Sequence, residues 1–164
     1  MTLTFSDTSE IELLYKGTEQ TCTRCATSTP ARRDARADAD LRAACMKGNL
    51  AEVKRILDTS RIDVNSRDVF GRTPVMWAAL RGHRDGVELL VRRGADVSLV
   101  TNDGDNILHW ACVGGDRKTV EFVLFLDGVD IDATNNNGDT AADVARGKGH
   151  HQLFIIVVHS GVNV

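Results

Sequence analysis

Apolar residues in this chain recur in short groups at helical spacing, and the groups themselves return after about 33 residues. Glycines mark the period, because Gly48, Gly82, Gly115 and Gly149 are separated by 34, 33 and 34 residues. Two apolar columns follow each glycine and lie three residues apart, which is the spacing of neighbours on one face of a helix. The pattern predicts paired helices that are repeated four times along the chain.

Three columns of equivalent positions define the predicted core. The first apolar column is Val53, Val87, Val120 and Phe154. The second is Ile56, Leu90, Val123 and Val157. The third is Ala44, Ala78, Ala111 and Ala145, small side chains that let two helices approach closely.

Four short motifs in the second repeat carry a family resemblance. They are Gly71-Arg72-Thr73-Pro74, Ala78-Ala79, Gly82-His83 and Gly94-Ala95-Asp96-Val97. Together they resemble the signature of the ankyrin-repeat family. The resemblance implies an all-α fold, an ankyrin-repeat solenoid of four stacked helix-turn-helix repeats with β-hairpin-like turn tips.

The resemblance covers about residues 38–164. It divides this ankyrin-repeat domain into repeats at about 38–67, 68–100, 101–134 and 135–164. Residues 1–37 carry no repeat and are rich in Thr, Ser and Arg, so we predict a disordered N-terminal tail. Within the tail, a capping-box pattern that begins at Ser9 favours one short helix at 10–16.

Polar residues at the predicted helix starts indicate how the helices are capped. Asp38 or Asp40 would cap the first helix, which is predicted at 41–47. Thr73 would cap the next repeat, with Pro74 in the first helical turn, where its missing N–H costs nothing. Asn106 takes the cap position in the third repeat.

The fourth repeat departs from the pattern, since residues 153–158 are all apolar. Ile155 stands in the position that Lys54, Glu88 and Glu121 hold in the other repeats, whereas a terminal repeat normally has a polar outer face. Three alternatives remain open: the chain is a fragment or isoform of a longer repeat array, copies of the chain self-associate through the Ile155 region, or another protein covers it.

Composition and charge narrow the class of partner. A net charge of −3, a pI near 5.9 and 5% aromatic residues give no basis for binding nucleic acid. No run of about 18 apolar residues and no secretory signal pattern is present. We therefore expect no membrane segment and a cytoplasmic or nuclear protein whose partners are one or more proteins.

Candidate catalytic groups are few. Cys22 and Cys25 form a C-x-x-C pair, but the second pair or the histidines that a zinc site requires are missing. Cys45 and Cys112 stand where the second repeat has Ala79, so they are predicted to be small buried core residues. We expect no enzyme, no catalytic residue, no cofactor and no metal.

Histidine and tryptophan positions are interpreted as structural. His109 lies where the family uses histidine in a hydrogen-bond network with neighbouring turns. Trp77 and Trp110 occupy equivalent positions on first helices, where the family places a core residue. Both tryptophans are therefore interpreted first as packing residues and only second as residues that bind a partner.

The resemblance implies that a concave face, made of turn tips and first helices, binds a partner protein. Carried over by position, this predicted face consists of Met46, Lys47, Arg67, Val69, Phe70, Arg72, Leu80, Arg81, Asn102, Asp103, Asp105, Val113, Asn136, Asn137, Asp139 and Lys148. Its N-terminal half is basic and apolar, and its C-terminal half is acidic and rich in amides. Phe70 is the predicted anchor, unless its ring folds back on its own repeat.

The sequence thus favours a non-catalytic interaction module, an adaptor or a regulatory protein. One alternative is a dedicated inhibitor that resembles the small ankyrin inhibitors of cyclin-dependent kinases, although those have a shortened first helix in the second repeat. The other alternative is an assembly element that pairs through the apolar fourth repeat.

Overall fold

The computed structural model describes residues 35–59 and 62–162. The described residues form eight α-helices, which are α1 (Ala35–Lys47), α2 (Leu50–Thr59), α3 (Pro74–Leu80), α4 (Arg84–Arg92), α5 (Ile107–Gly114), α6 (Arg117–Leu124), α7 (Ala141–Gly147) and α8 (His151–Val162). The prediction of an all-α repeat solenoid is confirmed. The predicted helix at 10–16 and the Cys22–Cys25 pair lie outside the described residues.

The helices form four pairs that stack side by side. Each odd-numbered helix packs against the even-numbered helix that follows it. The first helices of the pairs, α1, α3, α5 and α7, pack in one row, and the second helices, α2, α4, α6 and α8, pack in another. Because each pair contacts only its neighbours, the core is a continuous layer between the two rows.

The predicted core columns lie in this layer, with one exception. All four residues of the alanine column and all four of the column that contains Leu90 are buried. In the remaining column Val53, Val87 and Val120 are buried, but Phe154 is only half-buried. Leu153 takes the buried position of α8 instead. Phe154 lies on the last described helix pair, where no further pair covers it, and its ring is 5.5 Å from the Arg146 guanidinium carbon.

Two of the predicted helix caps are wrong. α1 begins at Ala35, so Asp38 and Asp40 lie inside the helix, and a carboxylate oxygen of buried Asp38 accepts the Asp63 N–H at 3.2 Å instead. Thr73 stands at the start of α3, but its hydroxyl makes no capping bond and is buried without a hydrogen-bond partner in the described chain. Pro74 at the first helical position supplies the required backbone angle without such a bond.

Other helix starts carry side-chain capping bonds. The Asn106 side chain accepts the His109 N–H at 3.0 Å, so its predicted role as a cap is confirmed. The Thr140 hydroxyl accepts the Asp143 N–H at 3.2 Å, and Asp143 bonds back to Thr140 in a capping box. Across the two described ranges, no helix is long and apolar enough to cross a membrane.

Candidate protein-binding surface

Each turn between repeats is a short hairpin closed by the same backbone hydrogen bond. In the second repeat the Asp68 N–H donates to the Arg72 carbonyl at 3.0 Å, and the next two turns repeat this bond at 2.9 and 3.0 Å. Gly71 occupies the left-handed region at a φ of 82°, which a side chain would strain. The chain thus presents successive turn tips of one shape.

Neighbouring tips are bonded to one another. The Asn102 N–H donates to the Phe70 carbonyl at 3.1 Å, and its side-chain amide donates to the Val69 carbonyl at 3.1 Å. Asn136 repeats both bonds one repeat later, to Asp103 at 2.9 Å and to Asn102 at 3.1 Å. These bonds hold the three tips as one rigid edge, and they leave the residues at the apex free to face outward.

The structure leaves every residue of the predicted face accessible. The exposed members are Lys47, Arg67, Val69, Phe70, Arg81, Asn102, Asp103, Asn136, Asn137, Asp139 and Lys148. The half-buried members are Met46, Arg72, Leu80, Asp105 and Val113. Val69 and Phe70 are the large apolar residues among those most exposed, at 84% and 56%.

Arg72 organises an aromatic cluster beside the first tip. Its guanidinium carbon lies 4.5 Å from the centroid of the Phe70 ring, 4.3 Å from that of Trp77 and 5.6 Å from that of Trp110. These are cation–π distances. Its Nε donates to an Asp68 carboxylate oxygen at 2.9 Å. Phe70 therefore lies against Arg72 of its own repeat, with more than half of its surface exposed.

The two tryptophans pack as expected and also take part in this cluster. Trp77 and Trp110 are half-buried, and both lie against the core. The Nε1 atom of Trp110 is buried and has no hydrogen-bond partner in the described ranges. The sequence analysis did not anticipate the contact of Arg72 with both rings. The equivalence of the two tryptophans, one repeat apart, was the available signal.

The Asp68 carboxylate supports both the tip and Arg72. Burial by itself would raise the pKa of Asp68, but hydrogen bonds from the Arg72 and Phe70 N–H groups and the Arg72 guanidinium outweigh it and lower the pKa. One carboxylate oxygen accepts both backbone N–H groups at 2.9 Å. Asp68 is thus held ionised, with its charge directed at Arg72.

The other candidate residues, His109, Cys45 and Cys112, are buried and have structural roles. The His109 ring is buried, and its Nε2 lies 3.1 Å from the Asp139 carbonyl of the next turn, so the predicted network is confirmed. Burial raises the pKa of both the Cys45 and Cys112 thiols to about 12. They are core residues, as predicted. No cluster of three metal-ligating side chains occurs among residues 35–59 and 62–162.

A family model described as ankyrin repeats, in three copies, matches residues 12–101 and 41–135. The chain belongs to the ankyrin-repeat family. This ankyrin-repeat protein is 35% identical over 103 residues to ankyrin repeat domain-containing protein 63 of Homo sapiens, across 61% of this chain and 27% of the relative. It is 35% identical over 99 residues to the Mus musculus protein of the same name, across 58% of this chain and 25% of the relative.

A third relative has an enzyme's name. The probable palmitoyltransferase AKR2 of Saccharomyces uvarum is 40% identical over 99 residues, which are 60% of this chain but 13% of that protein. The chain thus matches only about an eighth to a quarter of the length of these relatives. The similarity to the palmitoyltransferase covers only its ankyrin part, and ankyrin-repeat proteins are generally non-catalytic.

Proposed function

We propose that this protein is an adaptor or a regulatory protein, which binds a partner protein on the face formed by its turn tips and first helices. Ankyrin repeats indicate a protein–protein interaction module, and this more specific role rests on one observation. Val69 and Phe70 are exposed at 84% and 56% on a tip that is hydrogen-bonded to its neighbour. A rigid apolar apex loses little conformational freedom on binding, and exposed aromatic residues are frequent hot spots.

Affinity capture with matched variants tests this role. Wild-type protein, Phe70→Ala and Phe125→Ala would be used in parallel, because Phe125 is 87% exposed but lies at the end of the second helix α6, away from the tips. We expect a partner that is retained by the wild type and by Phe125→Ala, and lost with Phe70→Ala. Equal capture by all three proteins would place binding elsewhere.

A second candidate function is assembly through the last helix pair. Ile155 and Val158 on α8 are 47% and 41% exposed. The backbone at Gly149, just before α8, is also open. A Cβ built on Gly115 would lie 2.6 Å from the His150 ring of the following repeat, whereas one on the equivalent Gly149 meets no atom within 4 Å. The last pair therefore retains the surface that earlier pairs use to bind the next repeat.

Analytical ultracentrifugation tests this second candidate. We would compare the wild type with Ile155→Glu, which restores the residue that Glu88 and Glu121 supply in earlier repeats. Self-association that weakens in the variant supports assembly through α8. A monomer at tens of micromolar in both proteins removes this candidate.

Cyclin-dependent kinase inhibition is less well supported. The inhibitors that the sequence resembles in length have a shortened first helix in the second repeat, whereas α3 has seven residues, as does α7. Unchanged kinase rates at saturating protein would exclude this role. Action in the cytoplasm or nucleus is part of our proposal, and imaging of the tagged protein in cells would check it.

A further inference from the structure

We propose that Arg72 and the rings around it bind a carboxylate side chain on an acidic segment of the partner, next to an apolar residue of the same segment that contacts Phe70. This inference rests on the proposed function and specifies the chemistry of the partner. It assigns the carboxylate to the terminal nitrogens of Arg72 and the apolar residue to the exposed tip.

The first step is the hydrogen bonding of Arg72. Its Nε is committed to Asp68, at 2.9 Å. Its two terminal nitrogens have no acceptor among the residues that the structure describes. A guanidinium has five N–H donors arranged as a planar fork that fits a carboxylate. The donors that Asp68 leaves unused are therefore available to a second carboxylate.

The second step is the surroundings of the guanidinium. Rings of Phe70 and Trp77 lie within 4.5 Å of its central carbon, and the side chain is only 19% exposed. Aromatic contacts on this scale fix the orientation of the fork before binding and displace water from its faces. An Arg held in this way loses less side-chain entropy when it forms an ion pair than a free surface Arg does.

The third step is the charge of the surrounding half of the face. Lys47, Arg67 and Arg81 are exposed, and none of the three forms a salt bridge with a carboxylate in the described ranges. Asp96 attracts Arg67 electrostatically, and the charge of Asp68 is directed at Arg72. The local surface is therefore positive in a protein whose net charge is −3, and it favours an acidic segment.

The fourth step links the acid to an apolar neighbour. The Phe70 ring centroid is 4.5 Å from the Arg72 guanidinium carbon, and Val69 is the most exposed apolar residue of the tip. Residues of an extended peptide advance by roughly 3.3–3.6 Å each. One segment can therefore place a carboxylate on Arg72 and an apolar side chain on Phe70 only if the two residues are within about two positions of each other.

Peptide display on the full-length chain tests the inference. Random 12-residue peptides would be selected against the wild type, and the enriched peptides would be synthesised. The chain contains two tryptophans, Trp77 and Trp110, and both lie within 5.6 Å of Arg72, so intrinsic tryptophan fluorescence reports on this site. We expect enriched peptides to carry Asp or Glu within about two residues of an aromatic or aliphatic residue.

Two variants measure the role of Arg72 in opposite directions. Arg72→Lys keeps the charge but removes the fork, so we expect affinity for the enriched peptides to fall at least roughly tenfold. Asp68→Asn removes the competing carboxylate, so acidic peptides should bind several-fold more tightly, on the order of threefold or more. Asn135 already occupies the equivalent position in the fourth repeat, where it accepts the two corresponding backbone N–H groups at 2.9 and 3.1 Å. The turn tip should therefore keep its conformation in this variant. Arg92→Gln, on α4 away from the cluster, is the control and should bind as the wild type does.

Three results would overturn the inference. They are enriched peptides without acidic residues, acidic peptides whose affinity is the same for wild type, Arg72→Lys and Asp68→Asn, and selection that yields no binding peptide. If peptides depend on Phe70 but not on Arg72, the carboxylate site is wrong while the proposed function stands. If a captured partner also ignores Phe70→Ala, the proposed function itself is wrong.

Discussion

Gly114 packs directly against the carbonyl of Leu80. A Cβ built on Gly114, the last residue of α5, would lie 2.2 Å from the Leu80 carbonyl oxygen, which is far inside van der Waals contact. The atom that it meets is backbone at the end of α3, so a side-chain rotation cannot relieve the overlap. The spacing between the second and third repeats therefore depends on the absence of a side chain at this position.

Gly114→Ala and Gly147→Ala should change stability in opposite directions. Gly147 is also the last residue of its helix, α7, but a Cβ there meets no atom within 4 Å. Alanine in a helix is favoured over glycine by up to about 1 kcal/mol, so Gly147→Ala should stabilise the protein. Gly114→Ala should destabilise it by about 1–3 kcal/mol, because the two helices must separate. Urea unfolding of both variants measures the difference, and a stabilised Gly114→Ala would contradict this packing.

Thr73→Val and Thr140→Val form a second opposed pair at equivalent positions of two repeats. The Thr73 hydroxyl is buried without a partner in the described chain, so its replacement by a methyl group should be neutral or stabilising by up to about 1 kcal/mol. The Thr140 hydroxyl caps α7, and its loss should cost about 1 kcal/mol. Thermal unfolding would show two shifts of opposite sign, and an equal loss in both variants would mean that Thr73 has a capping role.

Asp68→Asn should make stability less dependent on acidic pH. Because the pKa of Asp68 is lowered in the folded state, its contribution is fully present above the ordinary value of 3.8 and is lost as the pH falls through the folded pKa. We expect wild type to be more stable than Asp68→Asn at pH 7, and the gap to close as the pH falls from 3.8 through the lower pKa of the folded state. Urea unfolding across this range measures it. Asp103→Asn removes an exposed charge from the next tip and controls for net charge.

Cys45 and Cys112 should react with thiol reagents only when the protein unfolds. With a pKa raised to about 12 by burial, each thiol is almost entirely protonated at pH 8, and its thiolate fraction is lower by roughly a thousandfold than that of an ordinary thiol of pKa 9.0. Labelling would be followed by mass spectrometry in a Cys22→Ser, Cys25→Ser background, in buffer and in urea. Fast labelling of either cysteine in buffer would contradict the packed core.

Residues that repeat along the chain were predictable, because the same local environment selects the same residue type in each repeat. The alanine column is buried at all four positions, and Cys45 and Cys112 are buried in the predicted slot. Asn106 caps α5 as its position indicates. Each of these assignments needs only helical spacing or the preferences of a helix start.

Other contacts were not predictable in the same way. The position of Thr73 indicated a cap, yet Pro74 starts α3 without one. Phe154 fitted an apolar column, but the burial of that column requires a neighbouring helix pair, and Leu153 is buried in its place. The charge of Arg72 could be read directly, but its contact with Trp110 depends on the distance between two repeats.

By itself, the sequence determined the repeat period, the pairing of helices and the residues of the core, because periodic burial leaves a periodic pattern of side chains. Only the tertiary structure decided which polar groups meet. It placed the Arg72 guanidinium among aromatic rings and left its terminal nitrogens without a protein acceptor in the described ranges. It also packed the Leu80 carbonyl against Gly114. These contacts join residues of different elements or repeats, and their distances are set by how helix pairs stack, which no local pattern encodes.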